Sequence, residues 1–147
     1  MITVRLAETA AEIATCLRLR WTVFVEEQGV RPSEEIDAHD RTDAVHALAL
    51  VDGVPAGAAR LMFLEPNGEP GLAKLQRMAV IDDVRGRGVG RALLAFLEAE
   101  ARRRGARAFT LGAQTHARAF YEKQGYAARG GEFDDAGIPH IRMDKPA

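Results

Sequence analysis

The chain has 147 residues, of which 20 are basic and 21 acidic, so its formal net charge at pH 7 is −1. This balance excludes the bulk electrostatic attraction on which nucleic-acid-binding proteins depend. A single cysteine, Cys16, excludes an internal disulfide, and no apolar run has the length of a membrane span or the form of a signal peptide. We therefore expect one domain over residues 1–147, in the cytoplasm, with no nucleic-acid or membrane partner.

The N-terminal part of the chain predicts a strand followed by a long helix. Residues 2–6 favour β structure, and Thr9 and Glu12 have the spacing of a capping box, so the helix should begin directly after Thr9. Apolar side chains then recur at helical spacing and predict a core-facing side: Ile13, Leu17, Trp21 and Phe24. We expect Cys16 to pack near this side, because no neighbouring charge is placed to activate its thiol, and residues 29–32 to end the helix.

An acidic segment follows the predicted helix. Between Glu26 and Asp43 there are seven acidic and two basic residues, and the segment predicts a loop with at most a short helical turn. One interpretation is a solvated charged surface. The other is a site for an amine, because carboxylates attract an ammonium group and can accept its proton. Asp37 and His39 suggest a metal ligand pair, but the four histidines show none of the standard zinc spacings, so no metal site is predicted.

The next part of the chain predicts a meander of antiparallel strands. Two β-rich runs, residues 44–51 and 54–64, flank Asp52-Gly53, a dipeptide typical of a type I′ turn, and so predict a hairpin. Residues 65–71 are rich in proline and glycine and predict a second reversal into a strand over residues 72–80.

A glycine-rich turn at residues 84–91 joins this strand to a second long helix. The N-terminus of a helix has amide groups without intrahelical partners and a partial positive charge, and glycines allow an anion to approach the backbone closely. Three arginines lie among three alternate glycines: Arg85, Arg87 and Arg91 with Gly86, Gly88 and Gly90. A diphosphate is therefore the expected ligand. The spacing fits neither the nucleotide P-loop nor the G-x-G-x-x-G dinucleotide motif.

The second helix should run from near Val89 to Gly105, with an apolar face against the sheet and Glu98 on another side. Residues 107–113 predict a strand that can pair in parallel with residues 72–80, because a helix lies between the two in the chain.

The C-terminal part predicts a short helix over residues 116–124, closed by Gly125, and two final strands. These strands begin at Tyr126 and Ile138. The loop expected between them holds three acidic residues: Glu132, Asp134 and Asp135.

Four separated motifs give the chain a family resemblance. Arg85-x-x-Gly88-x-Gly90 resembles the acetyl-CoA signature [RQ]-x-x-G-x-[GA] of the GNAT superfamily of N-acyltransferases. The ElaA-like branch is similar at three further places: residues 19–29 (LRWTVFVEEQG), 120–126 (FYEKQGY) and 137–143 (GIPHIRM). The motifs occur in the family's order and span nearly the whole chain.

This resemblance implies a fold and an acyl donor. The fold is α/β (α+β), with a mixed, mainly antiparallel sheet of about seven strands flanked by helices. Two parallel strands splay at its centre, and the gap accepts the pantetheine arm of acetyl-CoA. The donor site implied by the resemblance comprises Met78, Ala79, Val80, Arg85, Gly86, Arg87, Gly88, Val89, Gly90, Arg91, Gln114, Phe120, Tyr121 and Lys123.

The resemblance also implies catalytic roles. Tyr121 would protonate the leaving thiolate, and the backbone N–H of Val80 would stabilise the oxyanion. Many GNAT enzymes take their base from a glutamate on the strand before the glycines, but Gln76 and Arg77 stand there in this chain. Four candidate bases therefore stay open: Glu27, Asp37, Glu132 and His140. The acceptor side is expected to include Phe24, Gln28, Asp37 and Asp40.

We expect an N-acetyltransferase that moves an acetyl group from acetyl-CoA to a primary amine, either a small amine or a peptide lysine, by direct attack in a ternary complex. Two alternatives stay open. The missing strand carboxylate suggests a non-catalytic acyl-CoA-binding module, and residues 20–29 are also similar to an autoinducer-type acyl synthase. A homodimer is an open alternative for the assembly.

Overall fold

A computed structural model describes residues 1–64 and 71–147 and contains a seven-stranded sheet with the strand order β1-β2-β3-β4-β5-β7-β6. The strands are β1 (Ile2–Ala7), β2 (Val45–Val51), β3 (Val54–Leu64), β4 (Leu72–Val80), β5 (Ala108–Gln114), β6 (Ala127–Asp135) and β7 (Ile138–Pro146). The helices are α1 (Ala10–Arg20), α2 (Pro32–Glu35), α3 (Val89–Arg103) and α4 (Arg118–Lys123). This is the predicted mixed sheet flanked by helices, so the predicted fold class is confirmed.

The beginning of α1 confirms the predicted capping box. The Glu12 amide donates to Thr9 Oγ1 at 3.1 Å, and the Thr9 amide donates to Glu12 Oε1 at 3.2 Å. Cys16 is fully buried, and this burial raises the pKa of its thiol to about 11. A thiol with such a raised pKa is protonated and unreactive at neutral pH, as expected for a packing residue.

Beyond α1 the chain continues as a π-helical segment, Trp21–Glu27. The prediction that Trp21 lies on the core-facing side was wrong, since Trp21 is exposed. The buried positions of the two helical segments are Cys16, Arg20 and Val23. A buried arginine interrupts the apolar pattern from which the helix face was predicted. Gly29, at φ 72°, follows the end of the segment, as predicted.

The two longest α-helices pack on opposite faces of the sheet. Residues around Cys16 of α1 contact one face at Leu48, Leu50 and Ala58. The apolar side of α3 covers the other face with Val89, Leu93, Leu94, Leu97 and Ala101. Glu98 was predicted to lie away from this side, but it is buried and accepts hydrogen bonds from Tyr126 Oη at 2.7 Å and Lys145 Nζ at 3.1 Å.

The hairpin between β2 and β3 turns at Asp52 (φ 50°) and Gly53 (φ 81°). Two consecutive positive φ angles are those of a type I′ turn, so the predicted turn is confirmed. The second predicted reversal, over residues 65–71, lies outside the described residues except for Gly71.

The parallel strands β4 and β5 pair only over three residues. Leu72, Ala73 and Lys74 stand opposite residues 108–110, and beyond Thr110 the strands diverge. The pairing of β4 with β3 also shifts near Arg77, which has φ 56°. A bulge of this kind re-aims side chains and bends a strand. The divergence opens a cleft in the middle of the sheet.

The last two strands correct one prediction. Glu132, Asp134 and Asp135 lie in β6 and not in a loop; the turn is Ala136-Gly137. The acidic, glycine-containing sequence of β6 is polar because β6 is an exposed edge strand, and polar residues are typical of such edges. No helix of the described residues has the length and apolar character needed to span a membrane.

Candidate active site

The cleft between β4 and β5 has a volume of about 490 Å³, which is within the range of small-molecule sites. Its walls come from the π-helical segment, the two splayed strands, α4 and the β6–β7 hairpin. Apolar side chains predominate, among them Phe24, Met78, Leu111, Phe120 and Phe133.

The glycine-rich turn lies at the open end of the cleft, after the last residue of β4. Gly86 (φ 80°) and Gly88 (φ 94°) both have left-handed backbone conformations, and a Cβ at Gly86 would meet nothing within 4 Å. Gly88 is the N-cap of α3, and no side chain caps the helix there. Arg87 and Arg91 are exposed beside these free amides. This end can receive an anion.

Gly90 joins the turn to the cleft. A Cβ on Gly90 would lie 3.5 Å from Met78 Sδ and 3.6 Å from the Phe120 ring, both of which line the cleft. The first turn of α3 therefore packs directly against the cleft wall.

Arg85, predicted to contact a phosphate, forms an ion pair at the open end of the cleft. Its Nη1 and Nη2 donate to the two carboxylate oxygens of Glu27 at 2.5 and 2.7 Å, and its Nε donates to the Val80 carbonyl at 2.9 Å. The hydrogen bonds from Arg85 lower the pKa of Glu27. Both oxygens of the Glu27 carboxylate therefore accept hydrogen bonds from Arg85, and neither is free to act as a base.

Gln28, the residue after Glu27, reaches the opposite strand. Its side-chain amide exchanges two hydrogen bonds with that of Gln114 at the end of β5, at 2.9 and 3.3 Å. His116 Nε2 lies 2.6 Å from Gln114 Oε1. Glu27 thus contacts the turn after β4, through Arg85, and Gln28 contacts the end of β5.

Tyr121 of α4 lines the cleft next to Phe120, with the two rings edge to face at 5.0 Å. Burial raises the pKa of the Tyr121 phenol to about 12, so the phenol stays protonated at neutral pH. Among the described residues, the hydroxyl has only the Met78 thioether as a partner, at 3.9 Å. This phenol is therefore available to a ligand.

His140 of β7 is buried and also lines the cleft. Its Nδ1 lies 2.7 Å from the Ile138 carbonyl, which can only accept, so Nδ1 must bear the hydrogen of the neutral ring. Nε2 then has a lone pair and no hydrogen-bond partner in the part of the chain that the structure describes. The Phe133 ring stacks on the imidazole at a centroid distance of 5.8 Å.

The four candidate bases differ in whether they line the cleft and in whether a cation already occupies them. Glu27 is paired with Arg85, and Asp37 accepts hydrogen bonds from Arg60 at 2.7 and 2.8 Å, which lower its pKa. Glu132 is exposed on β6 and does not line the cleft. His140 alone among the four combines a place in the cleft with an unoccupied basic atom.

Comparison with known proteins gives the family. A family model described as an acetyltransferase (GNAT) domain matches residues 17–147. The chain belongs to the GNAT acetyltransferase family. It is 37% identical to the N-acetyltransferase YjcF of Bacillus subtilis, over 95% of this chain and 96% of YjcF.

The structural comparison supports the ElaA-like branch of the family. Escherichia coli ElaA is 31% identical over 92% of this chain and 88% of its own, and its crystal structure superposes with a TM-score of 0.85. An acyl-CoA N-acyltransferase from Pseudomonas aeruginosa is 31% identical, with a TM-score of 0.80 over 99% of this chain and 98% of its own. The chain is thus an acyltransferase of a family that uses CoA donors.

In this GNAT chain the acidic segment is divided: Glu26, Glu34 and Asp43 are exposed, whereas Glu35 and Asp40 are buried. Asp40 is buried, and its carboxylate accepts from Arg20 Nη1 at 2.6 Å and from Arg60 Nη1 at 2.9 Å. Arg20 Nε also donates to Glu35 at 2.6 Å. The prediction that Asp37 and Asp40 bind the acceptor is not supported, because arginines occupy both carboxylates and neither residue lines the cleft.

An Asp40→Asn variant is expected to lose about 3–5 kcal/mol of stability, because it leaves buried Arg20 and Arg60 without a shared counter-charge. Burial alone would raise the pKa of Asp40, but the two guanidinium groups outweigh it and lower the pKa to about 2. The contribution of Asp40 to the stability of the wild type is therefore present above the unfolded-state pKa of ~3.9 and disappears as the pH falls towards about 2.

Urea unfolding of both proteins at several pH values between 3 and 7 measures this effect. Asp83→Asn, at an exposed position, is the matched control and should leave stability unchanged. Equal free energies of unfolding for Asp40→Asn and wild type would contradict the role of the buried carboxylate.

Several residues that line this GNAT cleft were missed from sequence. On β4 they are Lys74 and Arg77, and on the β6–β7 hairpin they are Phe133 and Asp135. The alternation of β4 could have placed Lys74 on the face opposite Leu75, but nothing local indicates that β6 returns to the cleft. The described residues contain no group of three or more His, Cys, Asp or Glu side chains that could hold a metal ion.

Proposed function

We propose that the chain is an N-acetyltransferase that moves the acetyl group of acetyl-CoA to a primary amine by direct attack in a ternary complex. The observation that supports this most strongly is that one cleft is lined by Arg85, at the start of the glycine-rich turn, and by Tyr121 and His140. A donor and an acceptor bound in the same cleft react as an oriented pair, which lowers the entropic part of the barrier.

The residues of the open end suit the diphosphate of coenzyme A. Uncapped amides at Gly88, the space above Gly86 and the exposed guanidinium groups of Arg87 and Arg91 supply donors for it. Residues 78–80 of β4 have no strand partner on the β5 side, so their backbone groups can pair with the pantetheine amides. Gln114 and Lys123 remain predicted donor contacts; Lys123 is exposed on α4.

Three groups of the cleft act in the proposed reaction, as base, oxyanion donor and acid. His140 Nε2 accepts a proton from the amine, which attacks the thioester carbon. The Val80 N–H donates to the oxygen that becomes negative. When the carbon–sulfur bond breaks, the Tyr121 phenol gives its proton to the thiolate. Phe24 and Gln28, which line the same cleft, are the proposed contacts of the acceptor.

An amine panel with free-thiol release from acetyl-CoA as the readout tests this proposal. Release that depends on the amine, with the acetylated amine identified by mass spectrometry, is expected. Binding of acetyl-CoA without turnover on any amine would favour the acyl-CoA-binding module instead. Use of an acylated carrier protein in place of acetyl-CoA would favour the autoinducer-type synthase.

A Tyr121→Phe variant should lower kcat by about 10²-fold, because the leaving thiolate loses its proton donor. Its dissociation constant for acetyl-CoA should stay within about twofold of the wild-type value, since the ring that lines the cleft is kept. Steady-state kinetics and calorimetric titration with acetyl-CoA measure the two quantities.

Tyr126→Phe is the matched control, because this hydroxyl donates to buried Glu98 and not into the cleft. The control should lose stability and keep its kcat. An unchanged kcat in Tyr121→Phe would remove the tyrosine from the acid role.

A further inference from the structure

The closed end of the cleft lies where β4 and β5 still pair. Lys74 stands opposite Thr110 at the last paired position, and it lines the cleft together with Gln76 and Arg77. Lys74 is half-buried, and no carboxylate of the described residues lies within ion-pairing distance of its ammonium. A half-buried ammonium without a counter-charge is costly unless a ligand supplies one.

Arg77 adds a second cation whose binding capacity is only partly used. Its Nε and Nη2 donate to the backbone carbonyls of Glu35 and Glu34, at 3.0 and 3.3 Å. The carboxylate of Asp37 is 3.5 Å away, and that of Glu35 is 3.8 Å away. In the described part of the chain, Arg77 Nη1 makes no hydrogen bond.

The acids near this end are already neutralised. Three carboxylates, those of Glu35, Asp37 and Asp40, face three guanidinium groups, those of Arg20, Arg60 and Arg77. One oxygen of Glu35 has no hydrogen-bond partner, but two guanidinium groups of this set lie beside its carboxylate. A fourth carboxylate, Asp144, accepts from Thr110 at 2.7 Å and pairs with Arg142 at 3.1 Å, so among the described residues the Lys74 charge is left without a partner.

Other carboxylates of the cleft do not compensate it. Glu27 is paired with Arg85, and Glu34 and Asp135 are exposed, so water hydrates them. The uncompensated half-buried charge of the cleft is positive and lies at its closed end.

We propose that Lys74, assisted by Arg77, binds a carboxylate group of the acceptor, so that the acceptor is a small ω-amino acid. This inference rests on the proposed acetyl transfer. His140, which would receive the proton of the amine, stands opposite Gln114, and Lys74 stands opposite Thr110. Four residues of a strand span ~13 Å. The reach of the two side chains shortens this distance and leaves room for several carbon atoms between amine and carboxylate.

Two acceptors of equal length test the carboxylate. The kcat/KM of the wild type for 6-aminohexanoate should exceed that for 6-aminohexanamide by at least about tenfold, the range expected for a charge-assisted hydrogen bond. Lys74→Met should abolish this preference, so that the ratio of its kcat/KM values for the acid and the amide falls to about one. Lys74→Arg should restore most of it, and Arg129→Gln, at an exposed position on β6, should behave as wild type.

A binding measurement makes the result independent of turnover. The product, 6-acetamidohexanoate, is titrated calorimetrically into wild type and Lys74→Met in the presence of CoA. Binding that is at least about tenfold weaker in the variant supports the inference. Equal binding by both proteins overturns it.

Different results contradict the two proposals. Equal kcat/KM values of the wild type for the acid and the amide would overturn the carboxylate site and leave acetyl transfer intact. Thiol release that no amine stimulates would overturn the transfer proposal, and the product titration would still decide whether Lys74 binds a carboxylate.

Discussion

A Gly88→Glu variant should lose at least about 100-fold in affinity for acetyl-CoA. The N-terminus of α3 would then present a carboxylate where uncapped amides and two exposed arginines now favour an anion, and the like charges would repel. Calorimetric titration with acetyl-CoA and with CoA measures the loss.

Backbone strain and charge both contribute to the loss of acetyl-CoA affinity in Gly88→Glu, and a control variant distinguishes them. Gly88 has φ 94°, a conformation that is strained for glutamate whatever the space around it. Gly88→Asn is the matched control, because asparagine tolerates left-handed backbone better and is neutral. Its affinity should fall by much less than that of Gly88→Glu. Retained acetyl-CoA affinity in a folded Gly88→Glu protein would overturn the diphosphate assignment.

A His140→Gln variant should lose about 10²–10³-fold in kcat, the usual contribution of a general base. The loss is expected because an amide in place of the imidazole offers no basic nitrogen to the proton of the amine. Initial rates with a fixed amine and saturating acetyl-CoA measure kcat for both proteins.

His39→Gln is the matched control for this prediction. His39 is exposed and pairs with Asp43 at 2.8 Å, away from the cleft, so its loss should leave kcat unchanged. Thermal unfolding of both variants checks that they fold. A His140→Gln enzyme with wild-type kcat would show that the proton leaves the amine by another route.

The elements with local signals were predictable from sequence. The capping box at Thr9, the Asp52-Gly53 turn and the glycine-rich turn before α3 each depend on residues that are neighbours in the chain, so short-range rules suffice. The family motifs then placed these elements in a sheet whose central strands diverge.

The errors share a physical cause. Arg20 is buried because Glu35 and Asp40 neutralise it, and both partners lie well beyond the helix whose pattern was interpreted. Glu27, one of four candidate bases, and Arg85, a predicted phosphate contact, are 58 residues apart in the sequence, and the structure pairs them with each other. Charged side chains choose partners in three dimensions, and periodicity contains no information on that choice.

The polar composition of edge strand β6 also depends on its place in the folded sheet. Residues 132–135 have the composition of a loop because β6 borders the sheet, where hydration rather than packing decides which side chains are tolerated. Its approach to the cleft follows from the β7 register, which only the folded sheet defines.

The seam between β4 and β5 divides the sheet into two antiparallel halves of four and three strands, joined by three residue pairs. Beyond that seam, residues 27 and 28 fasten the open ends with side-chain hydrogen bonds to Arg85 and Gln114. Few backbone hydrogen bonds therefore join the two halves. One apolar core spans the seam, with Leu75 of β4 on one side and Leu111 of β5 on the other, so side-chain packing under α3 holds the two halves together.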